Sequence, residues 1–167
     1  MKFYEDPLYI KMCKEAKEIQ EMWLPQRGDW YYGPVVVSGY GYGAKEEDEE
    51  PEPCLINYAS PEDEDGYHPK VSGKDWVVFC NSAGDWDSGP IPRHRAVWLP
   101  RQDQLQEMIT REHGRFSLVE LFHHFANKHF YEFRSMEQLW LAYVMCLEFK
   151  RKWNPETEKW EAVDECL

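Results

Sequence analysis

Apolar residues near the start of the chain recur at helical spacing. Leu8, Met12, Ala16, Ile19 and Trp23 fall three or four positions apart, which puts them on one face of a 3.6-residue helix. Asp6-Pro7 supplies the start, because Asp accepts from freed backbone amides and Pro suits the first helical position. Pro25 and Gly28 supply the stop. From Asp29 the texture changes. Trp30-Tyr31-Tyr32 and Val35-Val36-Val37 are β-formers interrupted by Gly33-Pro34, which predicts an edge strand or a bent hairpin. Cys54 to Tyr58 predicts a short strand, Asp75 to Cys80 the clearest one, and Ala96 to Trp98 a short one running into Pro100. Gly84 to Pro92 predicts a loop.

The last third is helical. Asp103 to Thr110 carries Leu105, Met108 and Ile109 on one side. Ser117-Leu-Val-Glu120 and Ser135-Met-Glu-Gln138 match the capping box, in which each partner satisfies an amide that the helix start leaves open. Leu118, Leu121, Phe122, Phe125 and His129 then line one face. Met136, Leu139, Trp140, Tyr143, Val144 and Leu147 line another. Trp153-Asn154-Pro155 ends the last helix, and Trp153 and Trp160 flank a polar turn that predicts a small hairpin. Strands and helices are segregated along the chain, so the expected fold is α+β. It is a single domain over 1–167, with a small antiparallel sheet packed against about four helices.

Composition adds two points. Eight Trp, ten Tyr and eight Phe in 167 residues are ample for a packed core, which argues against general disorder. The net charge of −12 is unevenly spread. Ten Asp/Glu and one Lys between Lys45 and Asp65 contribute −9 of it, leaving −3 for the rest. A flexible acidic insert at 45–70 is therefore expected beside a nearly neutral body. No stretch reads as a signal or membrane segment: Trp30 to Ala44 is uncharged but short and Gly-rich. Five dispersed cysteines without a CxxC pair suggest free thiols in a reducing cytoplasm. The expectation is a soluble cytoplasmic protein, not bound to membranes.

Four segments carry a resemblance: Lys17-Glu-Ile-Gln-Glu-Met-Trp23, Gly28-Asp29-Trp30, Trp98-Leu-Pro-Arg-Gln-Asp-Gln-Leu-Gln-Glu-Met-Ile109 and Ser135-Met-Glu-Gln-Leu-Trp-Leu-Ala-Tyr-Val-Met145. In this order they resemble a family of short uncharacterised proteins from phages and prophages of Gram-positive bacteria. Trp98 to Ile109 is the most specific part, and the acidic insert lies outside the pattern. The resemblance implies a phage-type setting and carries no activity, cofactor or catalytic residue.

Candidate chemistry is sparse. His123, His124 and His129 share a helix, but His124 to His129 is i,i+5, about 140° apart around the axis, and His123 and His124 diverge. Glu120 and His123 form one Glu-x-x-His pair, where a di-iron bundle needs two. They are the weak metal candidates. Gly39-Tyr-Gly-Tyr-Gly43 has the wrong spacing for a phosphate loop, and no nucleophile elbow is present. Arg93, His94, Arg95 and Arg101 flank Trp98, a pattern suited to phosphate contact with base stacking. Pairing of these arginines with Asp85, Asp87 or Asp103 is the plainer reading. Gln102 and Gln104 make the stretch after Trp98 more polar than packing requires. The leading expectation is a phage-type accessory protein that binds another protein through the Trp98–Ile109 segment and the exposed side of the C-terminal helices, with Arg93, His94, Arg95, Trp98, Arg101, Gln102 and Gln104 as the candidate contact residues. The alternatives are nucleic-acid binding through Arg93, Arg95 and Arg101, or an unrecognised enzyme. No cofactor is expected, and oligomeric state is open.

Overall fold

The computed structural model describes residues 2–24, 26, 28–33, 51–55, 76–78, 90–92, 95–113 and 115–165. The fold is α+β, with five α-helices among these residues and only antiparallel strand pairs. The chain divides into two units, Met1–Met22 with Pro100–Leu167, and Trp23–Leu99.

In the first unit the N-terminal helix forms, but in two pieces. Helix α1 spans Pro7–Glu15 and α2 spans Lys17–Met22. Between them Ala16 leaves helical geometry at φ −81° and ψ 68°, with its amide shared between the Met12 and Cys13 carbonyls. Gln20 Nε2 donates to the Cys13 carbonyl at 3.0 Å, so the break leaves this buried acceptor satisfied. This split accounts for the fifth helix. Of the predicted stripe in this unit, Met12, Ala16 and Ile19 are fully buried and Leu8 is half-buried.

Helix α3 (Gln102–His113), α4 (Arg115–His129) and α5 (Met136–Phe149) follow. Every residue from Gln138 to Cys146 in α5 is buried. A helix apolar on all sides must be surrounded, and α1, α3, α4 and the following strand all pack on it. Ser135 caps α5 as predicted, its Oγ accepting from Gln138 N–H at 3.2 Å. The other predicted cap is not made at that point. Helix α4 already begins at Arg115, so Ser117 lies inside it; packing on α3 and α5 extends the helix beyond its local start signal. Met136 is 42% exposed rather than inward, because as the first residue of α5 it precedes the turn that the other helices cover.

Lys150 ends α5 in the left-handed conformation at φ 53°. The chain then forms the expected hairpin of β6 (Arg151–Asn154) and β7 (Lys159–Ala162). Trp153 pairs directly with Trp160, their rings 5.1 Å apart and edge to face. Asn154 Oδ1 accepts from Glu156 N–H and Thr157 N–H and closes the turn. The hairpin docks on α1: Trp160 Nε1 donates to the Met12 carbonyl at 3.0 Å, and Lys11 meets Glu158 at 2.8 Å.

The second unit holds a sheet in the order β2-β1-β5, from Glu52–Leu55, Trp30–Gly33 and Val97–Leu99. β1 is thus central rather than the edge strand that is one of the two expectations; the other, a bent hairpin with Val35-Val36-Val37, involves residues outside those described. The strand ends at Gly33, before the proline, so each of its residues keeps an amide for the ladder. Gly33 itself is required: a Cβ there would lie 2.7 Å from the Arg95 carbonyl oxygen. β3 (Trp76–Val78) pairs with β4 (Pro90–Pro92) as a separate ribbon. The end of the predicted Gly84–Pro92 loop is therefore a strand, and prolines are tolerated where no further neighbour needs their amides. Most of the acidic insert, Gly39–Gly43 and Cys80 lie outside the described residues.

Trp23, Asp29 and Trp98 form the polar and aromatic centre of this unit. The Trp23 and Trp98 rings stack with 6.0 Å between centroids and 5° between planes. Asp29, 2% exposed, accepts at Oδ2 from both Trp23 Nε1 and Gln26 N–H at 2.9 Å. Gly28, at φ +91°, makes the turn that brings Asp29 back.

Candidate functional site

The arginine-rich segment does not form one exposed constellation among the described residues. Arg93 and His94 lie outside them. Arg95 is half-buried in the second unit, and Trp98 is buried against Trp23, so its ring has no open face for a base. Arg101 belongs to the first unit. It meets Asp103 through Nε and Nη2, each at 3.1 Å, which is the plainer pairing considered above. Partial burial opposes the charge on Asp103, but the Arg101 hydrogen bonds and charge outweigh it and hold this carboxyl below its ordinary range.

The neighbouring glutamines have structural work. Gln104 Oε1 accepts from Arg101 N–H at 2.9 Å, so it satisfies the amide that precedes α3. Gln102 is the half-buried first residue of that helix. The unexpected polarity of this stretch is thus explained by capping. Its signal was hidden because Arg, not Ser or Thr, stands at the cap position.

Glu120 and His123 are exposed on α4, where His123 Nε2 lies 3.0 Å from Asn127 Nδ2. His124 is exposed and His129 is 6% exposed, so the three histidines diverge as their spacing requires. Among the described residues no three His, Cys, Asp or Glu side chains are grouped to hold a metal ion.

Two features were not foreseen, and both arise at the short 3-10 turn Phe130–Glu132 between α4 and α5. On one side, buried His129 has its Nδ1 2.8 Å from Oε1 of the exposed Glu132, and Lys152 Nζ lies 3.8 Å from the same oxygen. These groups line a cavity of about 90 Å3, together with Phe125, Phe133 and Trp153. Facing outward, Phe130 is 59% and Tyr131 96% exposed, with their rings edge to face at 5.7 Å. The sequence signal was there, in Phe130-Tyr131 just past the helical stripe. No helical periodicity or turn signal assigns these two residues to core or surface.

The cysteines differ among themselves. Cys13 is free and fully buried, and burial pushes its thiol far above the ordinary range. Cys54 is free and half-buried. Cys146 is disulfide-bonded, which corrects the expectation that all five are free thiols. Dispersed positions in sequence do not prevent two sulfurs from meeting in the fold, and that expectation was the ground for a cytoplasmic assignment. Among the described residues no helix is long and apolar enough to cross a membrane.

No family model, no curated protein and no solved structure matches this chain.

Proposed function

We propose that this is a phage- or prophage-type accessory protein that acts by binding another protein, and that the turn carrying Phe130 and Tyr131 is its contact surface. One observation carries the reading. A tyrosine 96% exposed beside a phenylalanine 59% exposed is an apolar display that a chain with a well-filled core does not need for packing. Paired exposed aromatics are typical anchors of protein contacts. The turn is held at its base by buried His129, whose Nδ1 lies 2.8 Å from Glu132 Oε1. The resemblance to phage proteins supports the setting. The Arg101 pairing and the burial of Trp98 weigh against the nucleic-acid alternative.

The test is capture of partners by the tagged chain from a Gram-positive host lysate, with and without nuclease, beside a Phe130→Ser/Tyr131→Ser variant. The expected result is a protein retained after nuclease and lost with the variant, whose melting temperature matches the parent's. Capture that needs nucleic acid, or that the variant leaves intact, overturns the proposal. In the first case Arg93, Arg95 and Arg101 become the residues to substitute.

A further inference from the structure

The cavity behind the 3-10 turn has the size and chemistry of a ligand site. Its volume of about 90 Å3 falls short of the roughly 150 Å3 in which an engineered apolar cavity holds benzene. It therefore suits a group of about four to six heavy atoms, with the remainder at the open mouth. Phe125, Phe133, Ala142, Trp153 and Val163 supply apolar walls. Lys128, His129 and Lys152 supply nitrogen groups, and Glu132 and Glu165 supply carboxylates.

These charges are not equally available. Glu132 Oε1 already faces both His129 Nδ1 and Lys152 Nζ, at 2.8 and 3.8 Å. Lysine ammonium groups have three donors each, and one loose contact at 3.8 Å leaves Lys152 able to take an anion. His129 is held in place through Nδ1 by Glu132. Glu165, exposed on the tail beyond β7, is a second acid lining the cavity.

We propose that this cavity binds a carboxylate attached to a short branched apolar group. The apolar group sits against Phe125, Ala142 and Trp153, and the carboxylate is held by Lys128 and Lys152. A free short-chain acid and the C-terminal residue of a peptide both present this chemistry. The inference does not depend on the aromatic turn's binding a protein, since neither Phe130 nor Tyr131 lines the cavity.

The test uses the full chain, labelled for NMR, titrated with isobutyrate, N-acetylvaline and N-acetylvalinamide. The acids are expected to give saturable shifts at the Trp153 indole and at Val163, with a Kd on the order of 1–10 mM for molecules this small. The neutral amide should bind at least about fivefold more weakly, since it lacks the charge the lysines hold. Lys128→Ala and Lys152→Ala should each weaken the acids about threefold or more without changing the amide, and Glu165→Gln should strengthen them. Tighter binding of N-acetylvaline than of isobutyrate assigns a chain terminus as the natural ligand, and equal or weaker binding a free acid. Equal binding of acid and amide, shifts away from the cavity, or folded lysine variants that bind the acids as the parent does would each overturn the proposal.

Discussion

Removing one carboxylate, by Asp6→Ala, should unlock two helix starts at once. Asp6 is 5% exposed. Its Oδ1 accepts from Leu8 N–H at 3.0 Å and Tyr9 N–H at 3.4 Å, capping α1. Its Oδ2 accepts from Gln138 Nε2 at 2.6 Å. Gln138 is fully buried, and its Oε1 accepts from Arg134 N–H at 2.9 Å, at the start of α5. The substitution removes a cap worth about 1 kcal/mol. It also leaves a buried amide donor without its partner, at a cost of about 1–3 kcal/mol. The expected loss is therefore about 2–4 kcal/mol, a large share of the roughly 5–15 kcal/mol that holds a typical domain folded.

Equilibrium urea unfolding, followed by far-UV circular dichroism, measures this. Asp6→Ser separates the parts, since the hydroxyl can still cap α1 but does not reach Gln138; it should lose about 1–3 kcal/mol. Combining Asp6→Ala with Gln138→Met in a double-mutant cycle should give a coupling of at least about 1 kcal/mol. A loss below about 1 kcal/mol for Asp6→Ala, or a coupling near zero, would refute the claim that the two helix starts share one buried polar node.

Three further outcomes follow from single features. Gly33→Ala places a methyl 2.7 Å from the Arg95 carbonyl oxygen and should cost about 1–3 kcal/mol by thermal or urea unfolding; an unchanged stability would show that the strands part freely there. Cys13, fully buried with its thiol pushed up by burial, should resist a thiol reagent in the native protein and react at once in denaturant, with mass spectrometry reading the adduct. Tyr143 is pushed up to about 12, by burial first and then by the Glu148 carboxylate. Unfolded tyrosine ionises near pH 10 while the native one stays neutral, so stability is whole below that pH and falls as pH rises from about 10 to 12. Comparing alkaline unfolding with that of Tyr143→Phe checks the contribution, which should disappear in the variant.

Signals that act within a few residues were legible in the sequence. Asp6-Pro7, the Ser135 cap and the Trp153/Trp160 hairpin each appear where their spacing put them, because capping and turn closure are local chemistry, although the Gln138 side chain takes the Arg134 amide and not that of Ser135. Errors arose where tertiary packing decides. Ala16 interrupts a periodic helix, and α4 starts ahead of its Ser117 signal. β1 is central because its end falls at Gly33 rather than because of any strand propensity. Nothing local could show that Gln138 would reach a residue 132 positions away. The candidate site suffered most. Arg101, Gln102, Gln104 and Trp98 looked like a surface because they were polar or aromatic in an unusual cluster, yet pairing, capping and stacking account for Arg101, Gln104 and Trp98.

The segments that suggested a phage family have a shared physical character in the fold. Trp23, Asp29 and Trp98 come from three of them and meet in one stack-and-hydrogen-bond cluster. Gln104 and Gln138, from the third and fourth, satisfy backbone amides ahead of α3 and α5. Buried polar groups of this kind are costly to leave unmatched, so their partners are tightly specified whatever the protein does. The most specific stretches of this sequence are accordingly those that report on architecture, and they are a poor guide to a binding surface. Phe130 and Tyr131 are the reverse case. They contribute little to the core at 59% and 96% exposure, and no helix cap or sheet register depends on them. A residue that packing does not need is where a partner's demands are most readable, which is why the turn between α4 and α5, and not the Trp98–Ile109 segment, is the place to substitute first.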